Sequence, residues 1–352
     1  MSAETAQWLN RWTLIGNTAK RGTAWHYRAD LQGTRPNHFV GSIPREEVLD
    51  LIGWEPLIGE VTGTSVTADG VTSITAPDRI AVMRPPGTLG PDDKGEILGL
   101  FKEGYQVHGY KKWLVENLEL ITDGGLAIGS AGLLRGGALA WVQAELEETV
   151  EAGGTGVEFR PFITAATSCD GSTSSTYLTG AQLVVCDNTL TAAMNTTTRF
   201  KIKHSSKSLQ RISEIRETLG LIETVSDEFS AQVQQLCSTE VTPRQWERFL
   251  DVFTLVKDLE GRDLKMTGGA RTKADNLRAQ VASLYTNDPR VSPWTGTAFG
   301  VVQTVNTYHH HEQPHQKGTD RAARNMQRMV EGEWDEMDRD VVETIDVIRA
   351  SV

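Results

Sequence analysis

Cysteine is scarce in this sequence of 352 residues, which contains only Cys169, Cys186 and Cys237. No two of them are spaced as a Cys-x-x-Cys pair. A small, odd number of cysteines without such a pair excludes a disulfide framework and a structural zinc knuckle. We therefore expect the cysteines to be reduced, as they are in cytoplasmic proteins.

Long hydrophobic runs are also absent. Apolar stretches such as Leu183 to Cys186 fall far short of the roughly 20 apolar residues that a membrane-spanning helix needs. The first residues, Met1-Ser2-Ala3-Glu4, include an acid and no apolar core of a secretory signal. The sequence predicts no membrane span, no secretion signal and, by default, a cytoplasmic location.

Positive charge is in deficit. Lysine and arginine number 35 against 46 aspartates and glutamates, so the formal net charge at pH 7 is −11. Such a chain is not attracted as a whole to nucleic acid or to anionic lipid, and any polyanion site must be a local cluster of cations. Otherwise the composition, 39% hydrophobic and 23% charged, is that of a folded globular protein and excludes wholly disordered and collagen-like classes.

The order of sequence patterns divides the chain into three parts. Residues 1–55, rich in Trp, Gly, Asn and Pro, are predicted to form an N-terminal strap with one short helix, from Pro44 to Leu51. Residues 56–225 alternate strand-like runs with glycine-bearing turns, and residues 226–352 have mostly helical periodicity. This order predicts an α+β fold, in which an antiparallel β meander with packed helices precedes a mostly helical C-terminal part.

Strand-like runs fill most of the middle part. Two of them flank Asp69-Gly70, a dipeptide typical of hairpin turns. Four more are joined by short glycine-containing connections, which favour antiparallel neighbours because a parallel crossover needs a dozen or more residues. These four are Leu126 to Leu134, Ala138 to Leu146, Val157 to Thr167 and Thr176 to Cys186. In the second, Trp141, Gln143 and Glu145 alternate with apolar residues, which predicts that one face of the sheet is open to solvent.

Two features define the C-terminal part. Thr242-Pro243-Arg244-Gln245 has the form of a helix capping box with proline at the first helical position, and an apolar stripe from Trp246 to Val256 follows before a stop at Gly261. The last 23 residues, from Val330 onward, carry eight acids against two arginines. They predict an acidic amphipathic end.

The most concentrated positive charge lies between residues 199 and 216, where six cations accompany one acid. Three cations share one face of a predicted strand by its period of two, and two more extend that face at i, i+4 on the next helix. These five are Arg199, Lys201, Lys203, Lys207 and Arg211. The stripe suits a phosphate backbone. The structural alternative is a solvated face whose cations pair with the protein's own acids.

Two further features bear on the same predicted interface. Trp141, predicted on the open side of its strand, could stack an unpaired base, or else lie beneath a neighbouring helix. Arg321 and Arg324 share a helical face with Arg328 at i, i+3, i+7. They could meet the first group of cations or pair with the acidic C-terminal end.

Two other groups point to different chemistry. A histidine cluster suggests metal binding, but adjacent histidines point in different directions and no His-Glu-x-x-His occurs, so a surface or packing role is the alternative and no metal or cofactor is predicted. Its members are His309, His310, His311 and His315. Cys186 and His204 could form a nucleophilic pair, or Cys186 could simply end a buried strand.

Seven segments of the chain occur in a distinctive combination. They are Gly41-Ser42-Ile43-Pro44, Gly129-Ser130-Ala131-Gly132-Leu133-Leu134, Thr167-Ser168 with Asp170-Gly171-Ser172, Val184-Val185-Cys186-Asp187-Asn188-Thr189, Lys201-Ile202-Lys203-His204-Ser205, Pro293-Trp294 to Asn306-Thr307-Tyr308, and Arg324-Asn325-Met326. Together they resemble the phage/plasmid-like protein family that carries the domain of unknown function 932, which is common in actinobacteria and their bacteriophages. The resemblance covers most of the chain and implies a mobile-element context, with no established activity to assign to individual residues.

The order of the strands and the helix after them is also similar to the core of the single-strand annealing recombinases, although a shared fold does not dictate function. We therefore expect a homo-oligomeric protein that binds or anneals single-stranded DNA in recombination or replication and catalyses no bond chemistry. Oligomerisation would repeat a short cationic patch and raise its effective concentration. The acidic end would recruit a recombination or replication partner, or occupy the cationic site until DNA displaces it.

Two alternatives come from other classes of protein. One is a non-enzymatic phage interaction protein, such as a host-factor inhibitor or a DNA mimic, which the acidic composition suits. The other is a hydrolase that depends on Cys186 and His204.

Overall fold

A computed structural model describes residues 11–21, 36–122, 127–145, 149–183, 189–190, 199–205, 222–314, 328 and 333–351. The strands are β1 (Thr13–Ile15), β2 (Leu57–Thr67), β3 (Gly70–Arg84), β4 (Glu96–Lys102), β5 (Ala127–Leu134), β6 (Leu139–Glu145), β7 (Val150–Glu151), β8 (Glu158–Ser168), β9 (Ser175–Leu183), β10 (Thr189–Leu190) and β11 (Arg199–Ile202). The helices are α1 (Thr18–Arg21), α2 (Arg45–Ile52), α3 (Asn117–Thr122), α4 (Ile222–Ser238), α5 (Pro243–Phe253), α6 (Gly268–Asn287), α7 (Ala298–Thr307) and α8 (Glu333–Ser351). A π-helical turn, Lys111–Glu116, precedes α3, and another, Tyr308–Glu312, follows α7.

An eight-stranded antiparallel sheet forms the centre of the fold. Its order is β1-β5-β6-β8-β9-β10, with β7 beside β8 and β11 beside β9. The short connections join antiparallel neighbours, as the sequence predicts. Strand β5 is connected to β6 through Arg135–Gly137, where all three residues have positive φ, and two of them are glycines, which adopt this conformation readily. The predicted α+β class, with an antiparallel meander followed by helices, is confirmed.

One face of this sheet packs against the helices α2 and α3. A row of small and aromatic side chains crosses neighbouring strands by register, from Leu14 through Ala131, Val142 and Ala165 to Tyr177, and all five are buried. They share a core with helix residues that include Val48 and Trp113. Burial of this face accounts for the apolar half of each strand's alternation.

The prediction that the other face is open to solvent is wrong. Every residue of β6 is buried, and Trp141 is only 2% exposed. Its ring lies against Gly132, directly opposite on β5, where the missing side chain leaves room for an indole. On the same sheet, Phe162 and Leu178 pack against Trp334 of α8. Tertiary packing therefore covers both faces.

The helical part shares a second core with the sheet. Phe159 of β8 packs with Phe229 of α4, and both belong to a cluster that includes residues of α5, α6, α7 and α8. The capping box at Thr242 and Gln245 is confirmed. The helix itself is shorter than predicted, because the chain leaves it at Thr254 and Leu255 adopts a positive φ of 57°. Val256 is nevertheless buried, so the apolar periodicity continues past the helix end.

The remaining three strands form a separate sheet in the order β2-β3-β4. The predicted hairpin at Asp69-Gly70 is confirmed and is longer than the sequence suggested, with 11 residues in β2 and 15 in β3. No helix within the described ranges combines the length and apolar content required to cross a membrane.

Candidate nucleic-acid interface

Strand β11 and the residue after it, Lys203, contain the described part of the predicted cationic stripe. The strand pairs with one side of β9 in antiparallel register, with Arg199 opposite Leu178 and Lys201 opposite Thr176. Lys201 and Lys203 are exposed, whereas Ile202 between them is 1% exposed. The alternation that the sequence predicted, with cations outward and apolar residues inward, is therefore present at these three positions.

The other predicted site residues are distributed differently. Lys207, Arg211, Arg321 and Arg324 lie outside the described residues, as do Cys186 and His315. Trp141 is buried in the sheet and cannot stack a base, so its predicted role is wrong.

A column of five stacked aromatic rings fixes the end of β11 against the segment before α3. In order, the rings are Phe101, Tyr105, His204, His108 and Trp113. The centroids of the two histidine rings lie 3.9 Å apart, and His108 lies 3.7 Å from Trp113. Because four of these rings belong to residues 101–113 and the fifth belongs to residue 204, the column joins two distant parts of the chain.

Hydroxyl groups of β8 and β9 connect the same two histidines. Nδ1 of His108 lies 2.6 Å from Oγ of Ser175, which donates to Oγ1 of Thr167 at 2.8 Å, and that oxygen lies 3.3 Å from Nε2 of His204. Since the serine gives its only proton to Thr167, it accepts the proton on Nδ1 of His108. The Ser175 hydroxyl is therefore both a donor and an acceptor in this network.

Both histidines are neutral at pH 7. Burial and, to a smaller extent, the neighbouring His204 together lower the pKa of His108 to about 3. Burial also lowers the pKa of His204 to about 4, although a hydrogen bond to the backbone of Gln106 opposes the shift. The positive charge of this region therefore comes from lysines rather than from the ring column.

Exposed lysines stand next to three rings of the column. Lys102 follows Phe101, Lys112 precedes Trp113 and Lys203 precedes His204, and all three lysines are exposed. Within the described ranges none of them forms an ion pair, whereas the neighbouring Lys111 lies 3.9 Å from Glu116. The column thus joins the segment that carries Lys102 and Lys112 to the strand that carries Lys201 and to Lys203, which follows it.

Sequence reasoning missed Lys102, Lys112 and His108. A usable signal was present, because residues 101–113 read Phe-Lys-Glu-Gly-Tyr-Gln-Val-His-Gly-Tyr-Lys-Lys-Trp, in which aromatic residues and lysines alternate in a short space. Cations interleaved with aromatic residues are typical of surfaces that bind single strands. Here the rings of the segment are largely used to position the backbone, and the lysines remain at the surface.

The acidic C-terminal helix lies close to the cationic strand. Trp334, at the start of α8, packs against Leu178, and Leu178 is the residue opposite Arg199 in the sheet. Nε of Arg328 lies 2.8 Å from the Glu333 carboxylate, and its guanidinium lies 5.3 Å from the centre of the Trp334 ring. For Arg328, the alternative of pairing with the acidic end is therefore the one observed.

The histidine cluster has a packing role where it is described. His310 is 6% exposed and stacks on Trp334 at 4.3 Å between ring centroids. Among the residues with described positions, no three histidine, cysteine or acidic side chains lie close enough together to hold a metal ion.

Comparison with known families matches residues 97–331 to a family model described as Domain of unknown function (DUF932). The matched range contains the whole ring column, the strand β11 and the helices α4 to α7. Comparisons with curated proteins and with solved structures find no match.

Proposed function

We propose that this chain, which belongs to the family of the domain of unknown function DUF932, binds or anneals single-stranded DNA of a phage or another mobile element without catalysing bond chemistry. The observation that carries the proposal is the placement of exposed lysines beside a rigid ring column. Lys201 lies in β11, which pairs only with β9 among the described strands, and Lys203 follows it. Lys102 and Lys112 come from the segment whose rings stack against His204. Rigid placement lowers the entropic cost of ordering these side chains on a ligand.

The spacing of the lysines suits a single strand. Lys201 and Lys203 are two residues apart, or about 6.7 Å in an extended backbone. That distance is about twice the 3.4 Å axial rise per nucleotide of a stacked strand, so the two ammonium groups can contact separate phosphates of one strand. Four phosphate contacts would make the logarithm of the binding constant fall with the logarithm of salt concentration with a slope of about −2.8.

We assign the acidic helix α8 a regulatory role in this proposed function. Its first turn packs on the strand that pairs with β11, and Glu336, Asp340 and Glu343 along it are exposed. Negative charge held near a phosphate site competes with DNA for the cations. We propose that α8 limits DNA access to β11 or recruits a recombination or replication partner, and that a homo-oligomer repeats the patch.

The test is binding of a fluorescently labelled single-stranded oligonucleotide by the full chain at two salt concentrations. The double variant Lys201→Glu, Lys203→Glu should lose binding. A matched control, Lys265→Glu with Lys273→Glu, makes the same charge change at exposed lysines between α5 and the middle of α6 and should bind like the wild type. Absence of wild-type binding at low salt, or equal binding by both variants, would refute the proposal.

The exposed acids of α8 favour a second candidate, the non-enzymatic interaction protein that mimics DNA or inhibits a host factor. Acids spaced at i, i+4 and i+7 along one helix present a row of negative charge, as a DNA backbone does. This candidate predicts that the wild type does not bind the oligonucleotide. It also predicts that Glu336→Lys with Asp340→Lys abolishes capture of a purified DNA-binding host protein, whereas the Lys265 and Lys273 control does not.

A further inference from the structure

The small sheet β2-β3-β4 has an unusual share of exposed apolar side chains. Of the 13 large hydrophobic residues that are strongly exposed among the described residues, seven belong to these three strands. They are Leu57, Ile58, Val66, Val71, Ile74, Ile97 and Leu100, with exposed fractions from 49% to 76%. Single exposed apolar residues are ordinary, but a group of this size marks an interaction surface.

The exposed residues continue from the base of the sheet to the tip of the hairpin. At the base, Leu57, Met83 and Ile97 form one cross-strand row, and Leu100 lies opposite Ala81 on the same face. Toward the tip, Val66 lies directly opposite Val71. The exposed residues lie on both faces of the hairpin, because side chains alternate along β2. Ile74, opposite Gly63, shares the face of Leu57, whereas Ile58, Val66 and Val71 lie on the other face. A partner that covers all of them clasps both faces of the ribbon.

The distal part of the hairpin, residues 61–76, is a two-stranded arm. Strand β4 pairs only with residues 79–84 of β3, so β2 and β3 have just each other beyond that point among the described residues. Nearly every position of the arm is exposed. A two-stranded ribbon is at best marginally stable alone in water, and an unpaired edge without charges is a template for another strand.

The composition of the arm favours a second copy of the same chain as the partner. Asp69 in the turn is the only charged residue between 61 and 76, although the whole chain has a net charge of −11. When two identical surfaces meet about a two-fold axis, every charge on the surface is repeated on the partner, so an uncharged arm avoids repulsion between two acidic molecules. A partner of opposite charge would instead be recognised by acids, which the arm lacks.

The exposed area fits such a contact. Seven side chains with these exposed fractions, counted over both faces of the hairpin, present on the order of 600 Å² of apolar surface, so two copies that clasp each other's arms cover about 1,200 Å², which is the lower limit of stable protein interfaces. Unpaired backbone groups along the outer edge of β2 would add main-chain hydrogen bonds to a strand of the second copy.

We propose that the β2–β3 arm, together with the apolar face at its base, is the surface through which two copies of this chain associate. The arm precedes residue 97 and lies outside the range that matches the family model. The proposal rests on the expectation that the protein works as an oligomer, and it places the contact on the sheet β2-β3-β4, whose last strand ends at Lys102.

The experiment is light scattering coupled to size-exclusion chromatography of the full chain, without DNA, at about 50 μM, where an interface of micromolar affinity is mostly formed. The variants are Val66→Glu and Ile74→Glu on the arm, with Val347→Glu on the exposed side of α8 as the matched control, since Val347 is 45% exposed. Wild type and Val347→Glu should self-associate, and each arm variant should shift to the monomer mass.

Circular dichroism melting of each variant separates loss of association from loss of folding. A second pair of variants, Leu57→Lys and Ile97→Lys, tests the base of the surface without altering the arm. A monomeric wild type would overturn the proposal and would leave a different protein as the occupant of the arm. Arm and base variants that remain associated like Val347→Glu would also overturn it. Because DNA is omitted, failure here is distinct from failure of the oligonucleotide-binding test.

Discussion

The stacked pair His108 and His204 should make the fold sensitive to mild acid. Burial lowers their pKa values from 6.5 to about 3 and to about 4, so both stay neutral in the folded chain at pH 5. In the unfolded chain both become protonated once the pH falls below about 6.5. The unfolded state then binds more protons than the folded state, and stability falls as the pH is lowered from 6.5 toward the folded-state pKa values.

The size of this loss of stability follows from the difference between the solution pH and the pKa of histidine in the unfolded chain. At pH 5 the solvent is about 1.5 units below the unfolded pKa, and each unit is worth about 1.4 kcal/mol per group, which gives about 2 kcal/mol for the fully buried His108. The half-buried His204 contributes less because solvent screens its charge. We expect the free energy of unfolding to fall by about 3 kcal/mol between pH 7.5 and pH 5 through this pair.

The assay is urea denaturation at a series of pH values, in which tryptophan fluorescence reports the fraction of unfolded protein. In the double variant His108→Gln, His204→Gln, stability at pH 7.5 is lower, but the fall between pH 7.5 and pH 5 should shrink by about 3 kcal/mol. Tyr105→Phe is the matched control, because it keeps a ring in the column and removes no group that titrates in this range; its profile should parallel that of the wild type. A double variant with the wild-type slope would refute the assignment of neutral buried imidazoles.

Gly132→Ala should lower the melting temperature by several degrees, because a Cβ there would overlap the ring of Trp141; an unchanged melting curve would contradict the packing of that indole. Trp334→Ala should reduce the free energy of unfolding by about 3 to 5 kcal/mol in urea titration, since its buried ring packs on Leu178, whereas Trp334→Phe should retain most of it. Thr242→Ala should cost about 1 kcal/mol by removing the side-chain cap of α5, and a change within error would mean that the cap is dispensable.

Part of the candidate interface could be predicted from the sequence and part could not. The alternation of Lys201, Ile202 and Lys203 is a local property of a strand, and the structure shows it. The link between residues 101–113 and the end of β11 could not be predicted, because it depends on stacking between His108 and His204, which are 96 positions apart in the sequence. No local period carries information about such a contact.

Trp141 shows why an exposed face could not be inferred from alternation alone. The alternation in β6 correctly separates two faces, but it does not say what covers each of them. Gly132 on the neighbouring strand accommodates the indole, and Trp334, nearly 200 residues away, packs on another part of the same sheet. Polar and aromatic residues on one side of a strand therefore show that the two faces of the sheet differ, but the second face can be covered by protein as well as by solvent.

The amino-acid sequence by itself determined the antiparallel connections, the hairpin at Asp69-Gly70 and the capped start of α5, because turn and capping preferences act between residues a few positions apart. Only the tertiary structure decided that both faces of the large sheet are buried and that a ring column joins residues 101–113 to the end of β11. It also decided that the hairpin arm continues beyond β4 with its apolar side chains exposed. Those outcomes depend on which distant surfaces meet, and burial is a property of the assembled chain rather than of any local segment.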